Sequence, residues 1–237
     1  MDQTTTTVQK KKSWLSIFTI EFLFVLLLLL AVIVFVYAAR MVFIVQGSKF
    51  DENVFKAVAP FTSTDLTKFM RFITFLGKHT LLIPLNLLLL AYFIYKKHRW
   101  FAIRIAALSL SSVVLSFSLK AYFQRERPEI QLIGDISGYS FPSGHALISV
   151  VFYGLFIHIV WHEVKEKWLR TLLIISLIIL ILLISFSRIY LRVHYASDVI
   201  AGLCVGFIWV VLSLRIIHRI EKRYIARKAR KEEHLDS

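Results

Sequence analysis

Long apolar stretches broken by short polar ones organise this chain. Apolar residues dominate segments 17–45, 81–95, 100–119, 146–160, 168–186 and 199–217. Helix of about 20 residues crosses the hydrocarbon of a bilayer, so the pattern predicts six transmembrane helices. The first run follows Lys10, Lys11 and Lys12, with Ala38 and Ala39 as a weak cleavage mimic. It is too long for the apolar region of a signal peptide and more spans follow, so it is read as an uncleaved first helix. Segment 66–76 differs in kind. Leu66, Phe69, Met70, Ile73 and Leu76 recur at helical spacing, with Thr64 or Asp65 as a cap and Gly77 as a stop. That predicts an amphipathic helix lying in the outer membrane interface, with a lid over a site as the sharper version. The expected fold class is all-α, a six-span transmembrane helical bundle.

Lysine and arginine in the connections orient the bundle. The basic amino terminus, the turn Lys96-Lys97-His98-Arg99, the 161–170 turn and the tail carrying Arg219, Lys222, Arg223, Arg227, Lys228, Arg230 and Lys231 alternate correctly for an even number of spans. Both termini are therefore expected in the cytoplasm, in a multi-pass protein of the plasma (inner) membrane. The expected division is a disordered basic tail over 1–12, a transmembrane domain over 13–218, and a second basic tail over 219–237.

Composition agrees. Hydrophobic residues make up 57% of the 237 positions and charged residues 19%, and mean hydropathy is +0.68. A net charge of +14 would suit nucleic acid on a soluble protein. Here much of the excess sits in the tails and between apolar runs, so the expected partner is the bilayer and no nucleic acid. Cys204 is the single cysteine, which excludes an internal disulfide and a cysteine-based metal site.

Three segments remain for the outer face: 46–80, 120–145 and 188–198. In Lys120-Ala-Tyr-Phe-Gln-Arg-Glu-Arg127-Pro128, the two outer cations would share a helix face two turns apart. Pro128 disfavours helix from Glu126 onward and turns the chain near Arg127. A basic helix end snorkelling to the interface is the plainer alternative. In Phe141-Pro142-Ser143-Gly144-His145, a hydroxyl and a glycine beside the free N–H groups of a helix start form an anion site. Gly144 lets the backbone approach a phosphate; an ordinary capped helix start with an incidental histidine is the alternative. In the third segment, one helical turn separates His194 from Asp198. The carboxylate would fix the imidazole tautomer and leave the other nitrogen free to attack, or the two form a structural ion pair. Taken together, the segments bring Lys120, Arg127, Arg188, His145, His194, Asp198, Ser143 and Gly144 to one face. Such a cluster beside a bilayer marks a functional site and suits phosphoryl transfer.

The patterns K-x6-R-P, P-S-G-H and S-R-x5-H-x3-D, intact and in this order, resemble those of the type 2 phosphatidic acid phosphatase superfamily. That family includes bacterial lipid phosphatases, among them phosphatidylglycerophosphate and undecaprenyl pyrophosphate phosphatases, and the vanadium haloperoxidases. The motif core, 120–198, covers roughly the middle third of the chain. The resemblance implies a metal-independent hydrolase without cofactor, acting on a membrane lipid phosphate or pyrophosphate through a phosphohistidine. Undecaprenyl pyrophosphate, phosphatidylglycerol phosphate, phosphatidic acid and phosphorylated lipid A are the substrates it implies. By the same resemblance His194 is the nucleophile, Asp198 holds its ring, and His145 serves as acid and then base. Lys120, Arg127, Arg188, Ser143 and Gly144 would grip the phosphoryl group. A lipid phosphotransferase is the nearest alternative. An anion transporter would place its charges mid-span, and a dead scaffold would have lost these histidines. Arg192 and Glu129 depart from the usual pattern without touching a motif position; Arg192 is read as an interface cation rather than a contact to a second phosphate.

Overall fold

The computed structural model describes residues 3–44, 49–134 and 136–235, with the side chains of 22–44, 49–134 and 136–232. Residues 1–2 of the first tail, 45–48 where the first apolar run meets the second segment, Asp135, and 236–237 of the last tail lie outside the described residues. The helices, in order, are α1 (Gln3–Phe43), α2 (Lys49–Val58), α3 (Thr64–Leu76), α4 (His79–Tyr95), α5 (Arg99–Phe123), α6 (Gly144–Glu163), α7 (Lys167–Tyr190) and α8 (Ala196–Leu235), with a 3-10 turn at Ala59–Phe61. Among the described residues there is no strand.

Among the described residues, six stretches are long and apolar enough to cross a membrane: Phe22–Phe43, Thr64–Tyr95, Arg99–Phe123, Gly144–Glu163, Lys167–Tyr190 and Ala196–Glu232. Five of the six expected runs fall within them, and Phe22–Phe43 lies inside the first run, 17–45. Helix continues from α1 and α8 through 3–12 and 219–235, because extending a helix that a span has already nucleated adds a bond per residue. Near the carboxy end, Lys228 and Glu232 pair across one turn at 3.6 Å.

α3 is amphipathic as expected, but its cap is Ser63, whose Oγ accepts from Leu66 N–H at 3.3 Å. Met70 and Ile73 are buried, while Phe69, Phe72 and Phe75 face outward. Gly77 ends the helix for reasons of space. A Cβ there would lie 2.6 Å from Ile184 Cγ2 and 2.9 Å from Ser149 Oγ, so only glycine lets the α3–α4 junction close onto α6 and α7.

α6 and α8 approach as closely, glycine against backbone carbonyl. Gly202 and Gly206 are spaced as G-x-x-x-G; a Cβ at Gly202 would sit 2.6 Å from Ser143 O, and one at Gly206 2.8 Å from Leu147 O. Small residues that let backbones meet are a recurrent way of joining helices where lipid supplies no hydrophobic drive. Leu147, Val151 and Leu155 of α6 then pack with Val205 and Val210 of α8, and with Ile105 and Leu108 of α5. This contact seats the start of α6, with Ser143 and His145, against the start of α8, with Asp198. At the opposite end, Arg104 of α5 and Glu221 of α8 form a largely buried ion pair.

Candidate active site

The chain reverses sharply after α5. Gln124 adopts a left-handed conformation (φ 50°), and its N–H donates to Lys120 O, closing the helix. Lys120 therefore sits in the last helical turn while Arg127 lies in the extended segment beyond. The shared helix face expected for the pair is thus corrected: a turn in the chain brings the two together.

Residues 138–140 form a rack for these cations. Lys120 Nζ donates to Tyr139 O at 2.5 Å. Arg127 Nε donates to Gly138 O at 2.8 Å, and its Nη2 to Tyr139 O at 3.3 Å. Gly138 has φ +85° with open space around it, so the backbone conformation, and not crowding, calls for glycine. Arg127 Nη1 also donates to Val193 O at 2.8 Å and lies 3.2 Å from His194 Nε2.

That last contact fixes the state of the imidazole. A guanidinium only donates, so Nε2 presents its lone pair and Nδ1 carries the proton. Nδ1 is 3.1 Å from Ser140 Oγ, and Ser140 Oγ donates to Asp198 Oδ2 at 2.5 Å. The direct His194–Asp198 separation is 3.6 Å, beyond a proper hydrogen bond. Asp198 thus orients His194 chiefly through the Ser140 hydroxyl, which corrects the direct contact expected from the four-residue spacing. His194 precedes α8 and does not share a helical turn with Asp198. Burial, the dominant influence, holds the His194 pKa down at about 3; Asp198 pulls it upward, and Arg188 and Arg127 press it further down. His194 is 1% exposed, and its ring is neutral at physiological pH.

Asp198 closes the start of α8. It accepts from Tyr195 N–H at 2.9 Å, an acid at the third helical position bonding back to the cap residue. Its Oδ1 accepts from Arg125 Nη1 at 2.5 Å, and Arg125 Nη2 reaches Asp51 Oδ2 of α2 at 2.9 Å. The Arg125 guanidinium lies 4.0 Å from the Tyr195 ring centroid. Burial works against its charge, but Asp198 and Asp51 outweigh that, so its pKa stands above the ordinary value.

Arg188 lies in the last turn of α7, buried, with Nη1 donating to Thr74 Oγ1 of α3 at 2.7 Å. Its Nε, and the Oγ of Ser143, are buried and meet no hydrogen-bond partner among the described residues. Orphaned buried donors are rare and call for an acceptor. Gly144 opens α6; a Cβ there would press to 3.2 Å from Ser116 Oγ and 3.5 Å from Lys120 Cε. His145 follows in the same turn. Every residue singled out from the motifs thus lies at this end of the bundle. Arg192 stands slightly apart, its guanidinium 5.8 Å from the Phe55 ring centroid.

A cavity of about 780 Å³ opens beside this cluster between α4, α5 and α6. Its polar end holds His79, Lys120, Gly144 and His145; its length is lined by apolar residues such as Leu82, Leu110, Phe117 and Phe152. Ser140, Arg125, Asp51 and Thr74 are the site residues that the sequence reading passed over. Only Arg125, two positions before Arg127, lay inside a motif. Among the described residues, no group of three or more His, Cys, Asp or Glu gathers as a metal-ligating set.

Comparison with known proteins gives consistent matches. A family profile described as PAP2 superfamily matches residues 100–222. The chain is 28% identical over 160 residues to the phosphatidylglycerophosphatase B of Bacillus subtilis, covering 67% of this chain and 78% of that protein. It is 31% identical over 197 residues to an undecaprenyl-diphosphatase of Sulfolobus acidocaldarius, covering 81% of this chain and 89% of that protein. Among solved structures, a transmembrane PAP2-type phosphatidylglycerolphosphate phosphatase from Bacillus subtilis superposes with a TM-score of 0.74, at 24% identity, over 81% of this chain and 96% of that one. At that identity the likeness establishes the fold.

Proposed function

The chain belongs to the PAP2 superfamily, and from that premise we propose that it removes phosphate from membrane lipid phosphates or diphosphates through a phosphohistidine on His194. One observation carries the reading. His194 is held neutral, with its Nε2 lone pair facing Arg127 and its Nδ1 proton directed to Ser140 and Asp198.

In the first step the substrate phosphate takes over guanidinium donors of Arg127 and exposes Nε2. The Nε2–P bond forms as the P–O bond to the lipid breaks, and His145 gives its proton to the departing oxygen. The imidazole becomes cationic on phosphorylation, and Asp198 stabilises that charge through Ser140 and across 3.6 Å. Lys120, Arg127 and Arg188, with Ser143 and the Gly144 N–H, hold the phosphoryl oxygens. The orphaned Arg188 Nε and Ser143 Oγ are the donors left for them. In the second step His145 takes a proton from water, the oxygen attacks phosphorus, and the P–N bond breaks to return neutral His194. The cations supply the electrostatic work, so no metal is required.

The lipid tail occupies the apolar length of the 780 Å³ cavity, with the head group at its His145 end. The named relatives act on phosphatidylglycerophosphate and undecaprenyl diphosphate, which makes a phosphate on a long apolar chain the expected substrate class. The basic connections at the end away from the site support a cytoplasmic location for that end and both termini, with the site on the extracytoplasmic side.

The test is phosphate release by detergent-purified protein from a panel of phosphatidic acid, phosphatidylglycerol phosphate, undecaprenyl diphosphate and phosphorylated lipid A, in EDTA. Release by wild type, lost in His194→Ala and His145→Ala, is expected. Full activity in His194→Ala, or strict dependence on added divalent metal, would sink the reading. Transfer to a second lipid without free phosphate would favour a phosphotransferase.

A further inference from the structure

Asp51 lies in α2, outside every motif, yet it is only 2% exposed. A buried carboxylate is expensive unless fully bonded, and this one reaches two residues beside the nucleophile's orienting acid. Its Oδ1 accepts from Ser197 N–H at 2.8 Å, and its Oδ2 accepts from Ser197 Oγ at 2.7 Å and from Arg125 Nη2 at 2.9 Å. Arg125 Nη1 in turn donates to Ser197 Oγ at 2.8 Å and to Asp198 Oδ1 at 2.5 Å. Asp51 therefore caps the start of α8 from a segment 146 residues away in sequence. It also shares one guanidinium with Asp198.

We propose that Asp51 is a positioning residue for the phosphoryl transfer, acting through Arg125 and Ser197 to hold Asp198, and with it Ser140 and the ring of His194. The inference rests on the reading of His194 as the nucleophile. The planar fork of Arg125 can bridge two carboxylates, and the bridge divides its positive charge between them. Without Asp51 the whole of that charge falls on Asp198, which is then drawn toward Arg125 Nη1 and away from Ser140 Oγ. The negative charge left to face His194 shrinks at the moment the imidazole becomes cationic. Asp51 thus tunes how much of Asp198 is available to the nucleophile, and α2 belongs to the working site rather than to its surroundings.

Asp51→Asn separates this role from simple capping. The amide oxygen still accepts from Ser197 N–H, so the start of α8 keeps its cap while the shared charge is gone. Arg125→Lys breaks the bridge from the other side, because an ammonium lacks the fork. Both are assayed on the full chain in detergent by rapid-quench single turnover with radiolabelled dioctanoyl phosphatidic acid, recording the rate constant of phosphoenzyme formation. That constant is a property of each active site, so a smaller folded fraction does not change it.

Each variant is expected to form phosphoenzyme about tenfold more slowly, the equivalent of weakening one charge-assisted hydrogen bond. The lipid concentration giving half the maximal rate should be unchanged, and the double variant should be no slower than Arg125→Lys alone. Wild-type rate constants in both variants, or in Arg125→Lys where Asp51→Asn fails to fold, would overturn the proposal. So would a purely additive double variant, or a change confined to half-saturation. A wild type that forms no phosphoenzyme would bring down the His194 reading first, which distinguishes the two failures.

Discussion

Ser140→Ala probes the link between the nucleophile and its acid. In the wild type Ser140 Oγ donates to Asp198 Oδ2 at 2.5 Å and lies 3.1 Å from His194 Nδ1. The substitution removes both contacts and little volume, from a position with no exposed surface. Asp198 keeps Tyr195 N–H and Arg125, so its charge remains bonded and the fold should hold. What is lost is the route by which that charge reaches the imidazole. A hydrogen bond to a charged group contributes about 1.5–3 kcal/mol, which corresponds to a slowing of roughly tenfold to a hundredfold. Partial recovery is built in, because a ring 3.6 Å from the carboxylate needs only a small shift to bond it directly. The lower end of that range is therefore expected. The loss should appear equally in kcat and kcat/KM, since the interaction strengthens only as the ring gains charge. Steady-state phosphate release from the best lipid in the panel reads both constants. Unchanged kcat would refute the Ser140 relay, and a loss as deep as that of His194→Ala would show that Ser140 does more than relay.

Gly202→Ala would place a Cβ 2.6 Å from Ser143 O and force α6 from α8 at the site. A stability loss of about 1–3 kcal/mol, read by thermal unfolding in detergent, should accompany a fall in activity, and neither effect would appear if the approach were loose. Nitrogen NMR of labelled histidine, with His194→Asn for assignment, should find His194 neutral with the proton on Nδ1 from pH 8 down to pH 5. Its pKa of about 3 lies below the ordinary value, so the nucleophilic form survives as pH falls through the usual histidine range; protonation near pH 6.5 would contradict the site's electrostatics.

The bundle was readable because apolar runs of spanning length admit few other structures, and the motif residues because their spacing is local. Ser140 was not readable. It reaches His194 from 54 positions away, along an irregular segment whose path depends on the cations it binds. Arg125 stood two residues before Arg127, but extending the helix through both hid the turn at Gln124, and with it the direction of Arg125. Asp51 is remote in sequence from every partner named for it, so no local pattern signals its role. The G-x-x-x-G spacing of Gly202 and Gly206, by contrast, was there to be read as a close helix contact. The cap at Ser63 was missed by a single residue, within the ordinary slack of helix ends.

The central claim is a covalent bond between phosphorus and His194 Nε2. Rapid quenching of wild type with radiolabelled lipid phosphate, followed by peptide mapping under alkaline conditions, reads it directly. Phosphate that is stable to alkali, labile to acid, mapped to His194 and absent from His194→Asn is the predicted result. A turning-over enzyme that carries no such label, or carries it on another residue, would contradict the account.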